Sequence, residues 1–188
     1  MKTLQIPATP LKVIPMSILL TRTSYAIFFY VVSFIMSTGV TAAEEGKWIT
    51  LFDGETLNGW EKVGSEESKW DVIDGALTGT GTPSMLVCTK GPFKNFRYRT
   101  EVRINDGGNS GLYFRASRKP TFTDGYEAQI DSTHKDPIRT GSLYGLLHVY
   151  KDLVKPNEWF TYELEVRDDQ WRRRELTRIK VIVNGDEL

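Results

Sequence analysis

Short segments in which apolar and polar residues alternate follow one another along the chain after residue 44. Apolar residues spaced three and four positions apart, the pattern of an amphipathic helix, are scarce there. Asn, Asp and Gly fill the breaks between segments, and these residues adopt the backbone conformations that tight turns require. The pattern predicts an all-β domain with strands at 48–52, 70–73, 76–80, 85–88, 96–104, 110–117, 126–130, 143–147, 159–167 and 177–183.

This number of short strands at close spacing is typical of a β-sandwich or jelly roll. Near the end of the chain, Asn184 and Gly185 predict a hairpin turn, because both residues tolerate positive φ. Only three residues follow that glycine. We therefore expect the domain to lack its last strands.

The first 43 residues have the charge and hydropathy pattern of a targeting segment and lack the strand pattern of the rest. Basic residues at positions 2, 12 and 22 precede an uncharged apolar run at 23–40, and small residues follow at 41–43. This order predicts a secretory signal at 1–43, with cleavage after Ala43 and a domain at 44–188. An uncleaved membrane anchor is the alternative, because the run approaches the ~20 residues that a spanning helix needs. Either alternative predicts an exported domain, periplasmic, extracellular or membrane-anchored.

Charge and cysteine content narrow the function classes. Lys plus Arg and Asp plus Glu number 24 each, so no overall positive field attracts nucleic acid. Cys88 is the only cysteine, which excludes an internal disulfide, and its apolar surroundings predict a buried, unreactive thiol. Aromatic residues make up 12% of the chain, a share that suits both β structure and sugar-binding surfaces.

The segment at 125–132 places polar side chains at every second position. Because side chains alternate across a strand, Glu127, Gln129 and Asp131 share one face. Tyr126 and Ile130 lie on the opposite face, which has the apolar character of a core side. The three polar residues are therefore expected on the exposed or concave face of the sheet. A solvated ladder of charged side chains without a ligand is the open alternative.

The preceding strand offers a cation for these carboxylates. Tyr113 and Arg115 share one of its faces. If the two strands pair, the guanidinium of Arg115 lies near the carboxylates, holds them ionised and is available to a substrate oxygen. One strand earlier, Glu101 is expected on the exposed face, since Val102 and Ile104 have core character.

A glycine-rich loop lies at the start of the strand that carries Tyr113. Glycines at 107, 108 and 111 surround Asn109 and Ser110, so that backbone amides can approach a ligand closely. Tyr113 and Tyr126 supply amphipathic rings nearby. A tight turn without a ligand explains the same glycines, so both interpretations remain open.

Further metal-ligating side chains surround the polar trio. His134 lies three residues after Asp131, and these two together with Glu127 and Asp136 are candidate ligands of a divalent cation. Their spacing matches no recognised metal motif, so the sequence requires no cofactor and leaves a cation as an open alternative. His148 is expected to be a packed strand histidine, with an acid-base role as the alternative.

Six short motifs occur in one order: LFDGETLNGW (51–60), WDVIDGALTG (70–79), GGNSGLYFR (107–115), GYEAQIDS (125–132), TGSLYGL (140–146) and NEWFTYELEV (157–166). Each motif alone is weak, but the ordered set strongly resembles the DUF1080 family, also called the 3-keto-disaccharide hydrolase domain. The resemblance covers nearly all of the chain from residue 48 to its end. Family members usually continue past the Asn-Gly hairpin, which agrees with the expected loss of the last strands.

The resemblance implies a concanavalin-like jelly-roll β-sandwich in an exported bacterial protein. It also implies an enzyme that cleaves 3-keto-glycosides, because a ketone at C3 acidifies the hydrogen on C2 and allows the oxygen on C1 to leave before water adds. In this scheme Glu127 is the general base, while Arg115 and Gln129 stabilise or orient the enolate. Asp131 or His134 assists proton delivery or holds a cation. The residues expected to bind the sugar are Asn109, Ser110, Tyr113, Tyr126, Tyr144 and Glu101.

Other function classes remain open at this stage. A non-catalytic, lectin-like module would bind polysaccharide through the same concave face, since one fold hosts both outcomes. A structural or adhesion domain on the cell surface, and a shortened copy without activity, are further alternatives. A carbohydrate is the only partner implied, with a membrane involved only through 23–40 if that run is not cleaved.

Overall fold

The computed structural model describes residues 46–188 and, for 17–20, the path of the backbone. All regular secondary structure in this part of the chain is β-strand, so the all-β prediction is confirmed. No helix among the described residues is long and apolar enough to cross a membrane. The apolar run at 23–40 and the expected cleavage position after Ala43 lie outside the described residues, and the signal or anchor stays a prediction.

Twelve strands are described in this part of the chain. In chain order they are β1 (Ser17–Leu20), β2 (Trp48–Thr50), β3 (Trp60–Gly64), β4 (Lys69–Ile73), β5 (Ala76–Thr80), β6 (Ser84–Cys88), β7 (Phe96–Val102), β8 (Asn109–Phe114), β9 (Tyr126–Asp131), β10 (Phe160–Trp171), β11 (Arg174–Val183) and β12 (Asp186–Glu187). Six of them form one antiparallel sheet in the order β12-β11-β10-β7-β1-β2. The others form the antiparallel pairs β3-β6, β4-β5 and β8-β9.

The core lies between the six-stranded sheet and the β8-β9 pair. Along β10, Tyr162, Leu164 and Val166 are buried at every second position, as expected for a strand with one covered face. Ala128 and Ile130 of β9 approach from the other side and belong to the same apolar cluster. This arrangement of antiparallel sheets around one core is consistent with a β-sandwich.

Strand β1 lies between β2 and β7 and pairs with both. It belongs to the stretch that the sequence assigns to a secretory signal. Cleavage after Ala43 would separate β1 from the sheet and leave the facing edges of β2 and β7 without their ladder partner. The complete six-stranded sheet therefore requires that residues 17–20 remain part of the chain.

One predicted strand is not formed, and one strand of the structure was not predicted. The segment 143–147 forms only isolated bridges, because Gly145 at a φ of 75° turns the chain and Leu143 bonds back to Leu147. Strand β3 (Trp60–Gly64), which pairs with β6, was not predicted. The preceding segment, 53–59, is rich in turn-forming residues, so the start of this strand was not clear from the sequence.

Candidate active site

Strand β9 carries the three polar residues on the face turned away from the core, as predicted. Ala128 and Ile130 face inward and are buried, while Glu127 is only partly buried on the other face. Gln129 and Asp131 share that face, yet each is 1% exposed. Of the two predicted alternatives, an exposed or a concave face, the exposed one is therefore wrong for these two side chains, while Gln129 does line a cavity.

The cause is a segment at 139–144 that follows the free edge of β9. The amide of Gln129 donates to the Ser142 carbonyl at 2.9 Å, and the amide of Tyr144 donates to the Glu127 carbonyl at 2.9 Å. Side chains of this segment then cover Asp131 in particular. Of the trio, Glu127 is left with the most accessible side chain.

Two tyrosines flank Glu127 across neighbouring strands. Tyr113 is its direct partner in the β8-β9 register and therefore shares its face. The bridge between Ala128 and Leu143 places the next residue, Tyr144, on the Glu127 side. All three side chains line a cavity of about 990 Å³, which is also lined by Asn109, Gly111, Gln129 and His134.

Gly111 provides the space in which the Glu127 side chain lies. A Cβ atom at position 111 would overlap Oε1 of Glu127 and come within 2.7 Å of its Cγ and 2.9 Å of its Cδ. The carboxylate thus crosses the β8 backbone at the one residue of that strand without a side chain. The third glycine of the predicted loop serves to place this carboxylate.

The surroundings of Glu127 make its carboxyl group harder to ionise. Partial burial raises the pKa of Glu127, while a hydrogen bond with the Tyr113 hydroxyl opposes this rise. Burial, followed by the interactions with Glu127, also raises the pKa of Tyr113, so the phenol stays protonated. A carboxylate with a raised pKa is a stronger base than an exposed glutamate.

Gln129 is held on both sides. Its side-chain Nε2 donates to Oδ1 of Asn109 at 3.1 Å, and its carbonyl accepts from the buried Tyr162 hydroxyl at 3.0 Å. Because Oδ1 of Asn109 is the acceptor in this pair, the exposed Asn109 presents its Nδ2 donors toward a ligand. Tyr162, which was not predicted as a site residue, joins the six-stranded sheet to β9 through this hydrogen bond.

Asp131 is part of a buried ion pair with Arg139, which the sequence analysis missed. Its Oδ1 lies 3.0 Å from Nη1 of Arg139, whereas Oδ2 is buried and accepts no hydrogen bond from the described residues. The Thr140 hydroxyl bonds to both the amide and the carbonyl of Asp131. Burial raises the pKa of Asp131, and the Arg139 guanidinium opposes that rise. This carboxylate is enclosed by protein and its contacts are those of a structural anchor.

Contrary to the prediction, Arg115 does not pair with the β9 carboxylates. Its Nη2 donates to the Lys94 carbonyl at 2.6 Å and lies 2.8 Å from Oδ1 of Asp168. The reason is local: β8 ends at Phe114, and Arg115 has a φ of 55°, so the strand alternation that put it beside Tyr113 stops there. Lys94 and then Arg115 hold the pKa of Asp168 below its usual range.

Three of the predicted sugar-binding residues do not share the face of Glu127. Ser110 pairs with Ile130 and shares its inward face, although it also lines the cavity of Glu127. Tyr126 stacks on Phe114 with ring centroids 5.5 Å apart. Glu101 lines a separate groove of about 620 Å³ on the six-stranded sheet. The two inward positions follow from the same alternation that predicted the polar face.

The histidines and carboxylates do not assemble into a metal site. Among the described residues, no group of three or more His, Cys, Asp or Glu side chains is placed to hold a metal ion. His134 Nδ1 lies 3.9 Å from Oδ2 of Asp131 and accepts from the Asp136 amide at 3.2 Å, while Arg139 already neutralises Asp131. This donor set does not fit a divalent cation, and we derive no step through one.

His148 and Cys88, which have separate predictions from the sequence, lie outside the polar trio. His148 is exposed, so the expected packed strand histidine is wrong for this position. Cys88 is half-buried against the core, and burial raises the pKa of its thiol, which agrees with an unreactive cysteine.

The comparisons with known proteins agree with this arrangement of motifs. A protein of Bacteroides thetaiotaomicron named 3-keto-disaccharide hydrolase is 27% identical, with the match covering 60% of this chain and 50% of the relative. The chain thus spans about half the length of this curated relative. No solved structure matches, so the concanavalin-like topology stays a prediction. The family model described as a 3-keto-alpha-glucoside-1,2-lyase-like domain matches residues 47–188, and the chain belongs to this family.

Proposed function

We propose that this domain cleaves 3-keto-glycosides, with Glu127 as the base that removes the proton from C2. The observation that carries the proposal is a carboxyl group with a raised pKa, seated over Gly111 in an open cavity between two tyrosines. The family description names a 1,2-lyase and the relative's name a hydrolase of 3-keto-disaccharides, which supports this substrate class.

The reaction follows from the acidity that a ketone at C3 gives to the hydrogen on C2. Glu127 accepts that proton, and the C–H electron pair forms the enolate. The enolate collapses into a C1–C2 double bond while the C1–O bond breaks and the leaving oxygen takes a proton. Water then adds at C1 and a proton returns to C2, which gives the free 3-keto-sugar. The net change is hydrolysis without direct displacement at C1.

The remaining cavity residues have complementary roles in this proposal. Asn109, fixed by Gln129, donates to a sugar oxygen from Nδ2. His134 lines the cavity, and because its Nδ1 accepts the Asp136 amide, the neutral ring carries its proton on Nε2. This proton is the one we assign to the leaving oxygen. We assign no direct contact with the enolate to Arg115, since its guanidinium is engaged by Asp168.

The direct test is a comparison of 4-nitrophenyl 3-keto-glucoside with the parent 4-nitrophenyl glucoside. The proposal predicts release of nitrophenol from the keto compound alone, because only the ketone makes C2–H acidic enough to lose its proton. Cleavage of both compounds would indicate direct displacement at C1 and contradict the proposal. Binding of sugar by the folded protein without release from either compound would favour a lectin-like module.

Replacing Gly111 with alanine is expected to displace the Glu127 carboxylate and lower kcat by about 10- to 100-fold, since a misplacement of about 1 Å can have this effect. Gly111 has no positive φ, so alanine strains no backbone, and the flexible end of Glu127 can move away. The melting temperature should therefore change little. Thr161→Ala, in the separate groove on the six-stranded sheet, is the control. Unchanged kcat in Gly111→Ala would contradict the assigned position of the base.

The pH profile provides a second prediction. Only ionised Glu127 can accept a proton, so kcat/KM should fall as the pH drops through its raised pKa. Tyr113→Phe removes the hydrogen bond that lowers this pKa, and the acidic limb should then move to higher pH. The measurement is kcat/KM against pH for both proteins. A limb that stays in place, or moves to lower pH, would contradict Glu127 as the titrating base.

Export of the domain is part of the proposal and rests on the sequence of residues 1–43. Mass spectrometry of the N-terminus of the mature protein distinguishes a cleaved signal from a retained anchor. A mature chain found in the cytoplasm with its first residues intact would contradict export.

A further inference from the structure

An exposed apolar loop at 143–150 adjoins the cavity of Glu127 through Tyr144, which lines that cavity. Four of its side chains remain largely in contact with solvent: Tyr144 is 43% exposed, Leu146 67%, Leu147 59% and Tyr150 66%. The loop contains no acidic residue, lysine or arginine. An uncharged apolar surface of this kind, bordering an open cavity, marks a binding site for an uncharged ligand.

The loop is fixed by its own hydrogen bonds. The Ser142 hydroxyl accepts from the Val149 amide at 2.8 Å and donates to the Val149 carbonyl at 3.3 Å. Nε2 of His148 accepts from the Gly145 amide at 3.1 Å. A surface held in this way loses little conformational entropy when a ligand binds.

Three neighbouring rings lie along this loop. The ring centroids of Tyr144 and His148 are 6.2 Å apart, and those of His148 and Tyr150 are 6.1 Å apart. Tyr144 lies beside the base, because its amide donates to the Glu127 carbonyl. Polar tips accompany the rings: the Tyr144 hydroxyl donates to Asp136 at 3.0 Å, and the Tyr150 hydroxyl lies 3.3 Å from Nδ1 of His148. Rings with polar edges suit a sugar, which presents C–H faces bordered by hydroxyls.

We propose that the loop 143–150 is a second subsite, which holds the leaving sugar ring of a 3-keto-disaccharide while the keto-sugar ring lies over Gly111 and Glu127. This inference rests on the proposed function, since it takes Glu127 to mark the reacting ring. It adds the residues that recognise the leaving ring, and with them a preference for a disaccharide over a glycoside with a small leaving group.

The test compares two substrates, a 3-keto-disaccharide and methyl 3-keto-glucoside, in the full chain and in Tyr150→Ala and Leu146→Ala variants. For Tyr150→Ala, the ratio of kcat/KM for the disaccharide to that for the methyl glycoside should fall by about tenfold, which corresponds to one lost ring contact. Tyr150→Phe, which keeps the ring, should retain most of the preference. Trp171→Ala removes a similarly exposed ring, 53% exposed at the tip of the β10-β11 hairpin, and should leave the ratio unchanged.

The outcomes separate this inference from the proposed function. Cleavage of both substrates with a ratio that the loop variants do not change would overturn the subsite and leave the function intact. Equal losses for both substrates would also overturn it, because the loop would then only shape the site of Glu127. If neither compound is cleaved, the proposed function fails, and an NMR titration with the unoxidised disaccharide decides the subsite. Shifts of the loop resonances that Tyr150→Ala abolishes would support it, and their absence would refute it.

Discussion

Replacing Glu127 with glutamine is expected to lower kcat for a 3-keto-glycoside by about 10³-fold, within the range known for the loss of a general base. Glutamine keeps the shape of the side chain over Gly111 and its reach to Tyr113, but its amide cannot accept the C2 proton. Binding of the sugar should persist, since the cavity and its flanking rings are unchanged. The expected result is an inactive protein that still binds its substrate.

Three measurements make this result decisive. Turnover of 4-nitrophenyl 3-keto-glucoside gives kcat, calorimetric titration with the same compound gives the affinity of the glutamine variant, and thermal unfolding shows that it folds. Glu101→Gln is the matched control, because this glutamate lines a different groove on the six-stranded sheet. Equal losses in the two variants, or activity retained in Glu127→Gln, would remove Glu127 from the mechanism.

The faces of the strands could be predicted because alternation is a local property. The inward positions of Ala128 and Ile130, and the outward position of Glu127, follow from the period of two alone. The same rule places Ser110 and Tyr126 on the core side, and their assignment as sugar-binding residues stays a prediction. Local rules were sufficient wherever one strand decides the environment.

The burial of Gln129 and Asp131 could not be predicted in this way. It depends on the segment 139–144, which lies along β9 and covers side chains that the β9 sequence alone leaves exposed. The predicted position of Arg115 was wrong for another reason: Arg115 itself has a positive φ, which ends the alternation after β8. Both cases concern polar residues whose partners come from distant sequence, Arg139 for Asp131 and Asp168 for Arg115.

Gly111 has a role that the glycine-rich motif alone does not reveal. The motif GGNSG indicates close approach to a ligand, but only the structure shows that Gly111 accommodates the protein's own carboxylate. Gly107, by contrast, has a φ of 66° and open space around it, which is the signature of a turn. Sequence alone gives these two glycines the same meaning, although one shapes the site and the other the chain.

Replacing Arg139 with leucine is expected to destabilise the fold by about 3–5 kcal/mol at neutral pH, the usual cost of removing one partner of a buried ion pair. Asp131 has no exposed surface on its side chain, and its Oδ2 already accepts no hydrogen bond from the described residues. Without the guanidinium its Oδ1 loses the Arg139 donor as well. Asp152→Asn removes the other, 67% exposed partner of Arg139 and should cost below about 1 kcal/mol.

The pH dependence of this loss follows from the pKa of Asp131. Burial raises this pKa in the folded protein, so the folded state binds the proton more tightly than the unfolded state. The resulting contribution to stability is fully present below the unfolded pKa and is lost as the pH rises through the folded pKa. Arg139 limits this rise, so the leucine variant should lose more stability at pH 7 than at a pH below the unfolded aspartate pKa of about 3.9, where Asp131 is protonated. Urea unfolding of both proteins at the two pH values measures the difference.

A double variant tests whether the unpaired charge of Asp131 causes the loss of stability in Arg139→Leu. Adding Asp131→Asn to Arg139→Leu removes the unpaired charge, and stability at neutral pH should recover in part, because a neutral amide costs less to bury than a carboxylate. The pH dependence of the difference from the unaltered protein should shrink at the same time. If the double variant is no more stable than Arg139→Leu alone, the loss comes from the packing of the arginine and from its bonds to the carbonyls of His134 and Asp136, and the buried charge of Asp131 is not its source.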